Sequence, residues 1–238
     1  MPATVTLEGD WLCNLGCRYC NQNHADGRTL SASVFEEIIA RKDEICGLRL
    51  FGGEPFDSPQ SLAFLREYAE KKLPFTLYLS TNGQYGDLDF VKRLRCYRVQ
   101  VSVSAASSEC YRHWQHGEIE RPLRFLRSLT ESRAKYGYPV CISTNFVLLN
   151  GNISELPEAI RRDAEWGIQS NVSRGRVRRG WDIFYDPPEG PNRKQKIAFL
   201  WSALRQASGD MARGSISAIL SALLQLDADV THNNIGAV

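Results

Sequence analysis

Three thiols stand close together in the segment Cys13-Asn14-Leu15-Gly16-Cys17-Arg18-Tyr19-Cys20. Thiolates converging on one point suit a soft metal centre, iron–sulfur or zinc, rather than magnesium or calcium. Gly16 allows the loop to turn sharply between the first two cysteines. The chain has 7 cysteines in all, an odd number without a secretion signal ahead of them, so a disulfide framework is not expected. Cys46, Cys96, Cys110 and Cys141 read as isolated core residues. His24 follows closely enough to complete a Cys₃His zinc site, the alternative to an iron–sulfur cluster. No Gly-x-Ser-x-Gly elbow and no phosphate-loop pattern offers a competing chemistry.

The loop needs a scaffold, and the hydrophobic patterning supplies one. Apolar strand-like runs at residues 4–8, 48–51, 75–80, 98–104, 140–148 and 168–173 alternate with helical patterns. Ser33-Val34-Phe35-Glu36 reads as a capping box, Ser58-Pro59 as a second helix start, and Asp87 and Asn152 as further N-caps. Such alternation implies an α/β fold with a parallel sheet covered by helices, open or curled toward a barrel. Six units are too few for a closed eight-fold barrel. A partial (β/α)₆ TIM-like barrel over residues 1–180 keeps the same logic, with the site at the carboxyl ends of the strands. Beyond a Pro/Gly-rich stretch at 186–191, segments 192–207 and 214–226 form a helical C-terminal extension, residues 181–238.

The strand ends carry the other candidate residues. After the second strand come Gly52, Gly53, Glu54 and Pro55, where glycines expose backbone and a carboxylate can pair with an ammonium. After the third comes Asn82, in a turn-forming Asn-Gly pair or in the site. Ser104 ends the fourth strand. Asn145 in the fifth is a satisfied core amide or a cofactor contact. After the sixth, Arg174 or Arg176 fits a bidentate clamp for a carboxylate or phosphate, while Arg178 and Arg179 read as solvated.

With Cys13, Cys17 and Cys20 in a CxxxCxxC pattern, Tyr19 before the last cysteine, and Gly52-Gly53-Glu54-Pro55 at the next strand end, the chain resembles the radical S-adenosylmethionine (radical SAM) superfamily. The resemblance covers about residues 5–180. It implies that the three cysteines hold three irons of a 4Fe–4S cluster and leave the fourth iron for S-adenosylmethionine. It places Tyr19 and Asn21 near the adenine, the Gly52–Pro55 segment at the methionine amino group, and Ser104 near ribose or carboxylate. It implies a 5′-deoxyadenosyl radical that takes hydrogen from a peptide or small-molecule substrate, with an electron donor such as flavodoxin or ferredoxin. The loop at Asn150–Leu156 resembles the branch of molybdopterin cyclase and the peptide maturases. Two departures stand out: Ala105-Ala106 replaces a common Leu-Asp-Gly, and Gln115 or His116 stands where an arginine is usual. A glycyl-radical-enzyme activase is the second enzyme reading, although the Asp-x-Lys typical of activases is replaced by Ser102-Val103-Ser104-Ala105. A zinc-stabilised binding module without catalysis is the third.

The 238 residues, 43% hydrophobic and 24% charged, are those of a packed globular protein. A net charge of +2, without a basic groove interleaved with aromatics, gives no reason to expect nucleic acid. No apolar run approaches a membrane span and no leader pattern opens the chain, so a cytoplasmic protein is expected. No cysteine follows Cys141, so auxiliary clusters are not expected. The apolar ending at residues 232–238 suits the start of another strand, which makes the chain either naturally short or a piece of a longer one.

Overall fold

The computed structural model describes residues 2–8, 11–22, 28–85, 88–94, 96–137, 139, 141–175, 182–184, 190–207 and 209–235. Candidate residues His24, Asp87, Arg176, Arg178 and Arg179, and most of the Pro/Gly-rich stretch, lie outside them.

Six strands, β1 (Ala3–Glu8), β2 (Ile45–Phe51), β3 (Thr76–Thr81), β4 (Arg98–Ser102), β5 (Cys141–Leu148) and β6 (Gln169–Arg174), form one sheet in chain order. Every neighbouring pair is parallel. Since β1 and β6 are both edges, the sheet is open, an α/β partial TIM barrel. All the strand carboxyl ends therefore face the same way, and loops leaving them gather at one rim.

A parallel sheet buried on both faces usually reads as unbroken apolar runs. Here the strands alternate instead: Leu48-Arg49-Leu50, Leu77-Tyr78-Leu79-Ser80, Val99-Gln100-Val101-Ser102. The leucines and valines of these runs are at most 1% exposed and belong to the main core. They pack with Phe35 and Ile38 of α1 (Ala32–Ala40), Phe64 and Leu65 of α2 (Pro59–Lys71), Phe90 of α3 (Leu88–Arg93), and Phe125 and Leu129 of α5 (Glu120–Tyr136). The polar members point to the other, concave face.

Local signals set the helix starts. Ser58 caps α2 as expected, its Oγ accepting from Ser61 N at 3.2 Å, with Pro59 in the first turn. The first helix begins two residues before the expected box: Ser31 is the cap, accepting from Ser33 N. Asn152 precedes a 3₁₀ turn (Ile153–Glu155) but does not cap it through its side chain. Its amide instead donates to Ser104 O and Val147 O, both at 2.9 Å, and its Oδ1 accepts from Leu149 N at 2.8 Å. That asparagine stitches the end of β5 to the segment after β4.

A second core joins Phe146 and Leu148 of β5 and Val172 of β6 to Ile160 of α6 (Leu156–Glu165), Leu200 of α7 (Arg193–Gln206) and Ile216 and Leu220 of α8 (Asp210–Ile235). Helix α7 opens on a full capping box of Asn192 and Gln195. Helix α8 starts earlier than residue 214 and continues to Ile235, so residues 232–235 are helical and do not open another strand. Gly214 lies inside it at a propensity cost of about 1 kcal/mol, outweighed by the buried stripe of Ile216, Leu220 and Leu223. Among the described residues no helix is long and apolar enough to cross a membrane.

Between β5, β6 and α6 a buried acid ties the layers together. Asp163, 1% exposed, accepts from Thr144 Oγ1, from Ser170 Oγ at 2.9 Å and from Arg162 Nη2 at 2.9 Å. Removing the carboxylate leaves three donors unmet, one of them charged. Asp163→Ala is therefore expected to cost about 3 kcal/mol or more of stability, measured by urea unfolding; a loss below about 1 kcal/mol would contradict this account of the seam.

Candidate active site

Residues 11–22, the described stretch after β1 that carries the cysteines, have little regular structure, so their position comes from contacts with the strand ends. Leu12 O accepts from Glu54 N at 2.7 Å, and Asn14 Oδ1 accepts from Asn82 Nδ2 at 2.7 Å. Arg18 N donates to Trp114 O at 2.9 Å, in α4 (Ser108–Gln115). The Tyr19 phenol shares a 3.0 Å hydrogen bond with Ser104 Oγ, and that oxygen also accepts from Val147 N at 3.0 Å. The loop is thus fastened to segments following β2, β3 and β4, and to α4. Burial pushes the Tyr19 phenol well above its ordinary range, so it remains protonated in this bond.

Cys13, Cys17 and Cys20 line a cleft of about 660 Å³ at the strand ends, together with Tyr19, Gly52, Gly53, Asn82 and Asn145. Gly52 has φ +135°, a conformation open to glycine but strained for other residues, and its neighbour Gly53 likewise leaves main chain bare to the cleft. Asn145 Oδ1 accepts from Asn171 Nδ2 at 3.0 Å and Ser173 Oγ at 3.2 Å, which fixes the amide and leaves its nitrogen for the cleft. Asn82 Nδ2 lies 3.7 Å from Cys13 Sγ, a donor aimed at a thiolate. Burial pushes the Cys13 thiol up to about 11 and the Cys17 thiol up to about 12, the latter helped by the charge of its neighbouring cysteines. Metal binding must then displace protons from both.

The other sequence candidates sit elsewhere. Asn21 is exposed and outside the lining. Ser104 is fully buried, its hydroxyl spent on Tyr19 and Val147. Pro55 is buried behind the cleft wall. Arg174 turns away: its guanidinium pairs with Asp182, Nε to Oδ1 at 3.2 Å, and lies 4.4 Å over the Phe184 ring. Glu54 is a strut. At 2% exposure it accepts from Thr81 Oγ1 at 2.8 Å, Asn82 N at 2.6 Å and Phe56 N at 3.2 Å, joining the loop after β2 to the end of β3.

Several residues of the site carry no motif. Gln115, 1% exposed, accepts from Ser104 N at 2.7 Å and donates to Ser102 O at 3.0 Å, shaping the turn after β4 from α4. Arg49, Tyr78, Arg98, Gln100 and Ser102 line the concave wall. Their signal was the alternation itself, because a polar residue at every second position of a parallel strand marks a face left open.

The donor set is three neighbouring thiols. Cys13 and Cys17 each feel the charge of Cys20, so the three sulfurs share one neighbourhood. Three thiols around one cleft suit a polynuclear cluster in which each thiolate takes its own iron, while His24, the fourth ligand of the zinc alternative, lies outside the described residues.

The model of the radical SAM superfamily matches residues 12–162, and the chain belongs to that superfamily. Its members bind S-adenosylmethionine and an iron–sulfur cluster and generate radicals. No curated protein sequence matches the chain. Among solved structures, Streptococcus suis SuiB bound to S-adenosylmethionine is 16% identical, with TM-score 0.62, over 88% of this chain and 49% of that one. Native anSMEcpe with bound AdoMet and Cp18Cys peptide is 17% identical, with TM-score 0.58, over 85% and 58%. Coproporphyrinogen III oxidase from Escherichia coli, described as a radical SAM enzyme, is 16% identical, with TM-score 0.59, over 85% and 51%. The chain spans about half the length of the SuiB chain it matches.

Glu54 makes the loop's anchorage measurable. Burial raises its carboxyl from 4.5 to about 7, while the bonds from Asn82, Thr81 and Phe56 pull it down. Between those two values the folded chain holds a proton that the unfolded chain has released, so stability falls as pH rises through the window. The expected loss is on the order of 3 kcal/mol. Thermal unfolding of the metal-free chain between pH 4.5 and 8 should show this decline, and Glu54→Gln should flatten it; an unchanged slope in the variant would assign the dependence to another group.

Proposed function

We propose that this chain is a radical SAM enzyme in which Cys13, Cys17 and Cys20 hold three irons of a 4Fe–4S cluster, and that it takes a hydrogen atom from a peptide or small-molecule substrate. The observation that carries the reading is the position of the three cysteines: they stand on the rim of one cleft, facing the bare backbone of Gly52 and Gly53 at the end of the next strand. The bound cofactors would supply one-electron reductive cleavage of S-adenosylmethionine to a 5′-deoxyadenosyl radical, the species that abstracts hydrogen.

The protein's share is binding, orientation and exclusion of water. Gly52 and Gly53 offer main-chain oxygens to the methionine ammonium, and Asn145 offers its amide nitrogen to an oxygen of the cofactor. Tyr19 closes the wall beneath the cysteine loop, and its bond to Ser104 keeps the loop from lifting. Asn82 donates toward the Cys13 sulfur, a contact that tunes the potential of a cluster bound there. Electrons come from a donor protein such as a flavodoxin or ferredoxin. A peptide substrate draws support from SuiB, solved with the precursor peptide SuiA, and anSMEcpe, solved with a Cp18Cys peptide.

The test is 5′-deoxyadenosine formation by anaerobically reconstituted protein given S-adenosylmethionine and a strong reductant. Wild type is expected to form it, and Cys17→Ala to fall at least 100-fold, about 2.7 kcal/mol of barrier or more. Equal yields from both proteins, or none from a fully loaded wild type, would overturn the reading.

A further inference from the structure

The concave wall carries two arginines that the proposed chemistry does not use. Arg49 of β2 pairs in register with Tyr78 of β3, and Tyr78 with Arg98 of β4, so the three stand in one row across the sheet. All three line the cleft. Two strand spacings place the arginine backbones about 10 Å apart, a gap that two long side chains can close around one small group. The Arg49 guanidinium carbon lies 5.5 Å from the Tyr78 ring centroid, which steadies the side chain without neutralising it. Arg98 Nε is sealed from solvent and has no hydrogen-bond partner. Among the described residues neither arginine has an ion pair, and no Asp or Glu lines the cleft. A buried guanidinium donor without an acceptor is costly, and a wall with two cations and no anion is complete only when an anion arrives.

The level of this row fixes a second property. Along β4, Arg98 precedes Ser102 by four residues, about 13 Å of extended chain. Ser102 pairs with Asn145 near the cysteine end of the cleft. Between the two levels the wall presents Ser80 and Gln100, polar and uncharged.

We propose that the substrate carries an oxyanion, carboxylate or phosphate, that docks between Arg49 and Arg98. Its reacting carbon then lies about 13 Å away, toward Cys13, Cys17 and Cys20, joined by a neutral polar spacer facing Ser80 and Gln100. A compact neutral or cationic substrate does not fit this wall. The assignment of the cleft to a substrate rests on the radical SAM reading above, whereas the anion site itself rests on the arginine row alone.

The test is isothermal titration of the full, cluster-loaded chain, at constant ionic strength, with inorganic phosphate in one arm and glutarate in the other. One-to-one binding of at least one probe is expected; a preference between them separates a phosphate-bearing from a carboxylate-bearing substrate. Arg49→Gln and Arg98→Gln should each weaken binding about tenfold or more, and Arg98→Lys, which keeps charge without the fork, should fall between. Arg41→Gln, on an exposed turn, should change nothing. Binding of neither probe, or binding that survives both glutamine variants, overturns the proposal. Measuring 5′-deoxyadenosine from the same wild-type sample keeps the two ideas apart. Product without anion binding defeats the anion site alone, and anion binding without product defeats the radical reading alone.

Discussion

Everything proposed for this molecule depends on holding an irregular cysteine loop rigid over the open end of a sheet. A loop without its own ladder can be fixed only by groups outside it. Here these are Glu54 N, Asn82 Nδ2, Trp114 O and the Ser104 hydroxyl, which come from segments following three successive strands and from α4. Because the strands are parallel and in chain order, those segments emerge on one rim, and one short loop can reach them all. The Tyr19–Ser104 bond joins the loop to the segment after β4 and, through Val147 N, to β5 at once.

The sheet contributes by being different on its two faces. Leu48, Leu50, Leu77, Leu79, Val99 and Val101 seal against the helices, while Arg49, Tyr78, Ser80, Arg98, Gln100 and Ser102 look into the cleft. A closed barrel of this size would pack its interior; an open six-stranded arc leaves room there. The helices α7 and α8 complete a second core on β5 and β6, which leaves the concave wall free.

Much of this was legible beforehand, and the exceptions have physical causes. The strand–helix alternation gave six strands within a few residues of their observed ends, because apolar periodicity is a local property. Cys13, Cys17, Cys20, Gly52 and Gly53 could be singled out because their spacing is itself the signal, and they line one cleft. The roles of Glu54 and Ser104 could not, since a buried carboxylate that braces a loop has the same residue type as one that meets a ligand. Which it does depends on Thr81, Asn82 and Tyr19, residues brought near only by folding. Arg174 is a similar case: its guanidinium meets Asp182, eight residues further along the chain, only once the chain has folded. Gln115 was visible only as a departure from a usual arginine, and its two bonds to the segment around Ser102–Ser104 exist only once α4 has packed.

The central claim is that Cys13, Cys17 and Cys20 form a polynuclear iron site, not a zinc site. Iron, acid-labile sulfide and zinc analysis of anaerobically reconstituted protein, with electron paramagnetic resonance of the reduced sample, tests it most directly. The account predicts about four irons and about four sulfides per chain, and a cluster signal that changes when S-adenosylmethionine is added. One zinc per chain, with neither iron nor sulfide, would contradict it.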